Sequence, residues 1–469
     1  MKKIIYLIAF TGLALGLQAK TGLPAVFGDN MVLQQHSDVS VWGWGNPSET
    51  VKIVSGWLLN DTVSVKVSGE GVWRTKIRTV GAGGPYTLQV FVSETDKTVF
   101  RNVMLGEVWL CSGQSNMGWT AAENLVNKEA EIEAANHPDI RIFHVPARTA
   151  TSPQVDCDTQ WVGCTPATMQ HTSAVGYFFA RRLKEYLNVP VGIIVAAWGG
   201  TPYETWTKKE LIDNHPLLKA YAPVSENKWR PNLPGTCYNQ MIHPVVPYSI
   251  SGAIWYQGET NVGNPFYAMG LQTMINGWRA DFGKEFPFYL VQIAPFTYNS
   301  AFNEPALLRE QQELVTKFVA RTGMVVVSDL VHDVKDIHPI DKQNVGLRLA
   351  NLALAETYAQ PVKEYLSPVF KSMSVEKGKA IITFDNVQVG LMIKGEKITG
   401  LKIAGADEKF VPADGIVKGD QLVVSSPEVK QPVYVTFCFD DATAGNLFSK
   451  AGLPVAPFRS NPVKSLFGK

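Results

Sequence analysis

The chain has 469 residues, a formal net charge of +1, 45% hydrophobic and 18% charged residues. That length predicts two or three domains, and the apolar fraction excludes a disordered chain. The near-neutral charge removes the electrostatic case for binding nucleic acid or an anionic membrane, whereas twelve tryptophans suit a protein that contacts sugars.

The N-terminus reads Met1-Lys2-Lys3, then an apolar run from Ile4 to Leu17, then Leu17-Gln18-Ala19 before Lys20. A basic start, an apolar stretch short for a membrane span and a small-residue cleavage site predict a secretory signal peptide over 1–19 and a periplasmic or secreted protein. No later segment reads as a membrane span. Residues 20–105 carry short alternating strands, such as Val39-Ser40-Val41-Trp42 and Tyr86-Thr87-Leu88-Gln89-Val90, broken by Gly and Pro. A small antiparallel β-domain follows from that pattern, without an acid–base cluster.

From 106 to 360 the rhythm changes. Val108-Trp109-Leu110-Cys111 reads as a buried strand ending in Gly113-Gln114-Ser115-Asn116, where Gly113 permits a sharp turn. Taken alone, these residues suit an ordinary Ser/Asn turn or helix cap. A helix over Thr172–Leu187 leads to the strand Val191–Ala197 and the turn Trp198-Gly199-Gly200-Thr201. The strand Gly252–Tyr256 runs into Gln257-Gly258-Glu259-Thr260-Asn261. Further on come the strand Phe288–Ile293, a helix over Pro305–Val319, the strand Met324–Asp329 and a helix over Lys342–Tyr358. Strands alternating with helices predict a mostly parallel α/β sheet with helices on both faces, its polar loops gathered at one edge. Residues 361–469 return to β-rich text, such as Val433-Tyr434-Val435-Thr436-Phe437, and predict a sandwich-like C-terminal region.

Those loops hold a coherent chemical set. Ser115 is the candidate nucleophile and His338, in Asp336-Ile337-His338-Pro339, the candidate base, because a serine hydroxyl needs a histidine whose tautomer a carboxylate fixes. His332 reads as a surface-loop histidine, and His243 as either a packed histidine or a substrate contact. Backbone N–H groups of Ser115 and Gly200 suit an oxyanion, and Gln257 offers a side-chain amide. Glu259 is open to three roles: orienting His338, holding Gln257 or an arginine, or touching substrate. Trp198, Trp206, Trp255 and Tyr256 suit either sugar stacking or the core. Five cysteines leave at least one unpaired; Cys157 and Cys164 could close a small loop, and no CxxC spacing supports a zinc site.

Together, Gly113-Gln114-Ser115-Asn116-Met117, Trp198-Gly199-Gly200-Thr201, Trp255-Tyr256-Gln257-Gly258-Glu259-Thr260-Asn261 and Asp336-Ile337-His338-Pro339 resemble the sialate O-acetylesterase family, a branch of the SGNH-type hydrolases. The flanking segments Phe27–Gln35 and Gly452–Arg459 extend the resemblance. It implies an SGNH-hydrolase-like sheet flanked by β-rich domains. The implied reaction removes O-acetyl groups from sialic acids, with Ser115 as nucleophile, His338 as base, Gly200 as oxyanion donor, and no metal or cofactor. Two positions depart from the wider pattern. Gln257 stands where asparagine is usual, and Lys335 stands three residues before His338 where aspartate is usual, leaving Asp336 and Glu259 as rival orienting acids. An esterase for acetylated xylan or another polysaccharide, or a carbohydrate-binding protein that lost its chemistry, are the alternatives. Either way the expected partner is an O-acetylated sugar or glycan.

Overall fold

The computed structural model describes residues 21–59, 61–300 and 302–461; the expected leader over 1–19 lies outside them. The central sheet is built from β1 (Val32–Gln34), β2 (Lys97–Gly113), β3 (His137–His144), β4 (Trp161–Cys164), β5 (Val191–Ala197), β6 (Gly252–Tyr256), β7 (Phe288–Val291) and β8 (Thr322–Val325). Its main path runs β8-β7-β6-β2-β5-β3-β4, parallel except for β4 at one edge, while β1 pairs in parallel with the middle of β2.

Four long helices cover the two faces: α1 (Ala174–Leu187), α2 (Tyr267–Phe282), α3 (Glu304–Phe318) and α4 (Lys342–Glu356). Alternation along the strands assigns the faces. Trp109, Cys111, Ile193, Val195, Ile254 and Tyr256 share a core with α1 and α4. Their chain neighbours Val108, Leu110, Ile194, Ala196, Ala253 and Trp255 share the other core with α2 and α3. Each fully buried large apolar side chain contributes roughly 1.5–3 kcal/mol. Trp109 shows how tightly they pack, its ring 5.0 Å from Phe179 edge-on and 5.9 Å from a stacked Tyr289. This is the parallel α/β sheet with helices on both faces predicted from the alternating strands and helices, and the SGNH-hydrolase-like arrangement that the motif resemblance implies.

Helix starts follow capping chemistry. The Ser173 hydroxyl accepts the Gly176 N–H at the start of α1, and an Asp341 carboxylate oxygen accepts the Asn344 N–H at the start of α4. The expected strand Met324–Asp329 is shorter than its apolar run, because β8 is the edge strand and the chain leaves the sheet after Val325. The Val326 carbonyl is taken by Arg348 Nη1 at 2.6 Å instead.

β2 is 17 residues long. Its first part pairs antiparallel with Gly83–Phe91 of the N-terminal β-unit, and its last part is the centre of the parallel sheet. The position between 105 and 106 therefore lies inside one continuous strand. Glu107 fastens the two parts: buried, it accepts hydrogen bonds from Gln34 Nε2 (3.0 Å), Gln35 Nε2 (2.8 Å), the Tyr358 hydroxyl (2.8 Å) and the Ser251 hydroxyl.

The C-terminal region is β-rich, with its own core around Ile382, Ile403, Val424, Val435 and Phe437. It docks on α3 through a bidentate Arg459–Glu310 pair at 2.9 and 2.7 Å and through Arg309, whose guanidinium donates to the Asp440 carbonyl. All five cysteines are buried and unpaired, so Cys157 and Cys164 form no bridge. Among the described residues no helix is long and apolar enough to cross a membrane.

Candidate active site

Register brings the loops together. In the parallel pairing, Ala197 and Tyr256 both face Gly113, so β2, β5 and β6 end level and their following turns emerge side by side. Gly113 has φ +141°, and a Cβ there would collide with the Tyr256 backbone, so only glycine lets β2 lie this close to β6 as it turns. Buried Gln114 locks the turn: its N–H donates to the Tyr256 carbonyl at 3.0 Å, and its Oε1 accepts the Gly258 and Thr260 N–H groups at 3.5 and 3.4 Å. Ser115 follows, at the head of the single turn Ser115–Gly118. Its hydroxyl oxygen lies 2.9 Å from His338 Nε2.

The two residues expected to act as nucleophile and base therefore meet across more than two hundred residues of sequence. Trp119, which sequence reasoning did not single out, stacks on the His338 ring with centroids 4.4 Å apart and planes at 21°. Burial holds the His338 pKa below its ordinary 6.5; the Lys342 charge pushes the same way, with Asp336 opposing. The imidazole is thus kept neutral, the form a base requires.

Asp336 is placed otherwise than a hydrogen-bonded triad demands. Its Oδ1 lies 3.8 Å from His338 Nδ1, at ion-pair range, and accepts the backbone N–H of His338 at 2.9 Å. The spacing of two residues closes an Asx-type turn and thereby spends that oxygen on the backbone. His332, also beside Asp336 at 3.5 Å, is exposed. Nδ1 of His243 meets the Gln154 carbonyl at 2.7 Å, a packed histidine.

Glu259 does not orient His338. It is buried, and its Oε1 accepts from Asn116 Nδ2 at 2.6 Å. The same Asn116 amide donates to the Ile337 carbonyl at 3.0 Å, while its Oδ1 accepts from Lys342 Nζ at 2.5 Å. Asn116 thus ties the nucleophile turn, the third loop and the histidine loop into one buried knot. Burial raises the Glu259 pKa and pushes the Lys342 ammonium down to about 7, each group partly restoring the other's charge. Nothing local marks Asn116 and Lys342 as partners; only the Ser115-Asn116 adjacency hints at one of them.

Gln257 is likewise corrected from oxyanion donor to scaffold. Fully buried, its Nε2 donates to the Thr201 carbonyl (3.2 Å) and Asn261 Oδ1 (2.7 Å), and its Oε1 accepts the Tyr267 hydroxyl at 3.0 Å. No amide proton is left for a substrate. Trp206, Trp255 and Tyr256 are also buried in the core, so they stack on no sugar. The glycine turn is different. A Cβ on Gly199 would lie 3.3 Å from the Ser115 Cβ, and Gly200 turns with φ +71°. Among the described residues, neither the Ser115 nor the Gly200 N–H has a hydrogen-bond partner.

A half-buried hydroxyl on a neutral imidazole, beside two unpartnered backbone N–H groups, is equipped for acyl transfer. Comparisons with known proteins find similar chains. A family model described as carbohydrate esterase, sialic acid-specific acetylesterase, matches residues 105–355. A sialate O-acetylesterase of Homo sapiens is 28% identical, the match covering 82% of this chain and 80% of that protein; that of Pongo abelii is 28% identical, covering 77% and 75%. The crystal structure of a carbohydrate acetylesterase from Xanthomonas citri has a TM-score of 0.85 at 35% identity, covering 94% of this chain and 99% of that one.

Proposed function

The chain belongs to the sialic acid-specific acetylesterase family of carbohydrate esterases, and from that membership we propose that it removes O-acetyl groups from sialic acids through a Ser115–His338 acyl-enzyme mechanism. The observation that carries the mechanism is the 2.9 Å contact between the Ser115 hydroxyl and His338 Nε2. His338 takes the hydroxyl proton as the Ser115 oxygen attacks the acetyl carbonyl. The oxyanion forms against the N–H groups of Ser115 and Gly200. As it collapses, the C–O bond to the sugar breaks, His338 returns the proton to the departing alcohol, and the acetyl group stays on Ser115. Water, deprotonated by the same imidazole, attacks the acetyl-serine; the bond to the Ser115 oxygen breaks, His338 returns the proton to that oxygen, and acetate leaves. Asp336 supports the imidazolium by charge at 3.8 Å.

Export to a periplasm or the outside is part of this reading, resting on the Met1–Ala19 pattern. A second reading, an esterase of neutral acetylated polysaccharide, draws support from the Xanthomonas citri relative, described as a carbohydrate acetylesterase and more similar than the sialate esterases. Acetate release from an O-acetylated sialoside and from acetylated xylan separates the two. Release that Ser115→Ala abolishes supports the mechanism, and release that survives that variant sinks it.

A further inference from the structure

The segment between Tyr221 and Thr236 overhangs the glycine turn and plays no part in the chemistry so far. It is braced internally: Asn227 Oδ1 accepts the Trp229 N–H at 2.8 Å, Asn232 Oδ1 accepts the Asn227 N–H at 2.9 Å, and Asn232 Nδ2 donates to the Ser225 carbonyl at 2.9 Å. The brace presents two unusual side chains. Trp229 is 90% exposed, far beyond what a large aromatic ring normally leaves in water. Next to it, the Arg230 side chain lies flat on Gly200, where a Cβ would come within 2.5 Å of Nη1 and 2.7 Å of Nε. The guanidinium therefore sits on the turn beside the nucleophile. Among the described residues it has neither an ion-pair partner nor a hydrogen-bond acceptor.

Beyond it, between the same segment and the loops carrying Pro202 and Thr260, lies a cavity of about 370 Å³. Its lining is mixed, the polar side chains of Glu204, Asn227, Asn232, Thr260, Asn261 and Asn264 standing among Tyr221, Val262 and two prolines. Glu204 is itself buried, held by Asn261 Nδ2 at 2.9 Å and Asn264 Nδ2 at 3.2 Å. Amides held at fixed positions, two of them by the buried Glu204, suit the hydroxyls of a sugar. An arginine fork on the neighbouring glycine turn suits one planar anion. A sialic acid combines these features, having one ring carboxylate among many hydroxyls.

We propose that Arg230 selects an acidic sugar by pairing with its carboxylate, while the adjoining cavity holds the sugar's hydroxyl-bearing part. The proposal rests on the sialate-esterase reading of the same site and adds the residue that distinguishes an acidic from a neutral glycan.

The test uses binding, so that it can be read whether or not the esterase reading holds. Calorimetry on the full chain compares the methyl glycoside of N-acetylneuraminic acid with its carboxyl methyl ester, for wild type, Arg230→Gln and Arg230→Lys. Wild type is expected to bind the free acid roughly tenfold or more tightly than the ester, as one charge-assisted pair supplies. Arg230→Gln is expected to bind both alike, and Arg230→Lys to recover part of the preference. Equal affinity of wild type for acid and ester, no binding of either, or an acid preference that survives Arg230→Gln would each overturn the proposal. Failure of the esterase reading shows up separately, as absent acetate release from an O-acetylated sialoside.

Discussion

Asp336 Oδ1 accepts the backbone N–H of His338 at 2.9 Å while standing 3.8 Å from that residue's Nδ1. The carboxylate therefore shapes the loop first and supports the imidazole by charge alone. Asp336→Asn keeps an oxygen for the backbone bond and removes only the charge. Its kcat is expected to fall about tenfold, against the roughly 10⁴-fold loss seen where the aspartate is hydrogen-bonded to the ring. Because Asp336 raises the His338 pKa, its loss also moves the acid limb of the pH–rate profile to lower pH. A thousandfold loss with an unmoved limb contradicts this account.

Ser115 and His338 act as one unit through their 2.9 Å contact. Ser115→Ala and His338→Ala are each expected to lower kcat by on the order of 10⁴–10⁶, and the double variant by no more than the worse single one. Single-turnover acetate release measures all three. Multiplicative losses would mean that the residues work independently.

Burial and the nearby ammonium of Lys342 hold the His338 pKa below its ordinary value. Activity needs the neutral ring, so kcat/KM should stay flat down to a pH below about 6.5 before falling. Lys342→Met removes the repelling charge, so the acid limb should rise towards the ordinary histidine value. Lys342 carries its own stability signature. Its folded pKa, about 7, is below the unfolded one, so from there up to about 10.4 the unfolded chain holds the extra proton. The penalty for burying the ammonium is complete below that window and fades as pH rises through it. Urea midpoints for wild type and Lys342→Met, read from about pH 6 to about pH 9, should shift in favour of wild type with rising pH.

Trp119 lies against the His338 ring, stacked at 4.4 Å, and its indole N–H is anchored to the Asn124 carbonyl at 2.6 Å. Trp119→Ala should cost roughly three- to tenfold in kcat, in keeping with an aromatic pair of about 0.5–1.5 kcal/mol, with KM little changed. Trp119→Phe should restore most of it. A change confined to KM would instead make Trp119 a sugar contact.

Gly200 carries a positive φ and has the Arg230 guanidinium against the place of a Cβ. Gly200→Ala should displace the turn and with it the N–H aimed at the oxyanion, costing on the order of a hundredfold or more in kcat. Circular dichroism should remain that of wild type.

Much of this was legible in the chain itself, and the reason differs by element. Val191–Ala197 and Gly252–Tyr256 are strands over the residues expected, because continuous apolar runs bounded by Pro, Gly and polar residues leave little freedom of register. Ser115 and His338 could be paired because their chemistry requires one another. The Asn116–Glu259–Lys342 knot could not, since three residues so far apart share no periodicity. Gln257 misled for a related reason: a side-chain amide next to a reactive turn looks like a donor until Thr201 and Asn261 are seen to occupy it. Trp206 and Trp255 were ambiguous because an indole serves a core and a sugar equally well.

The strand Lys97–Gly113 also bears on how this enzyme could be rearranged. A module that ends at a loop can be cut out, swapped or grafted as a cassette. Here the last strand of the N-terminal unit continues into the strand that delivers Ser115, and Glu107 within it is gripped from both sides by Gln34 and Tyr358. A shortened chain beginning at 106 would strip the central strand of its pairing with Val32–Gln34 and leave a buried carboxylate short of two glutamine donors. Recombination, truncation or fusion is therefore expected to succeed at the C-terminal region, which docks through side chains and carbonyls, and to fail at the N-terminal one, which is inherited with the nucleophile as a single piece.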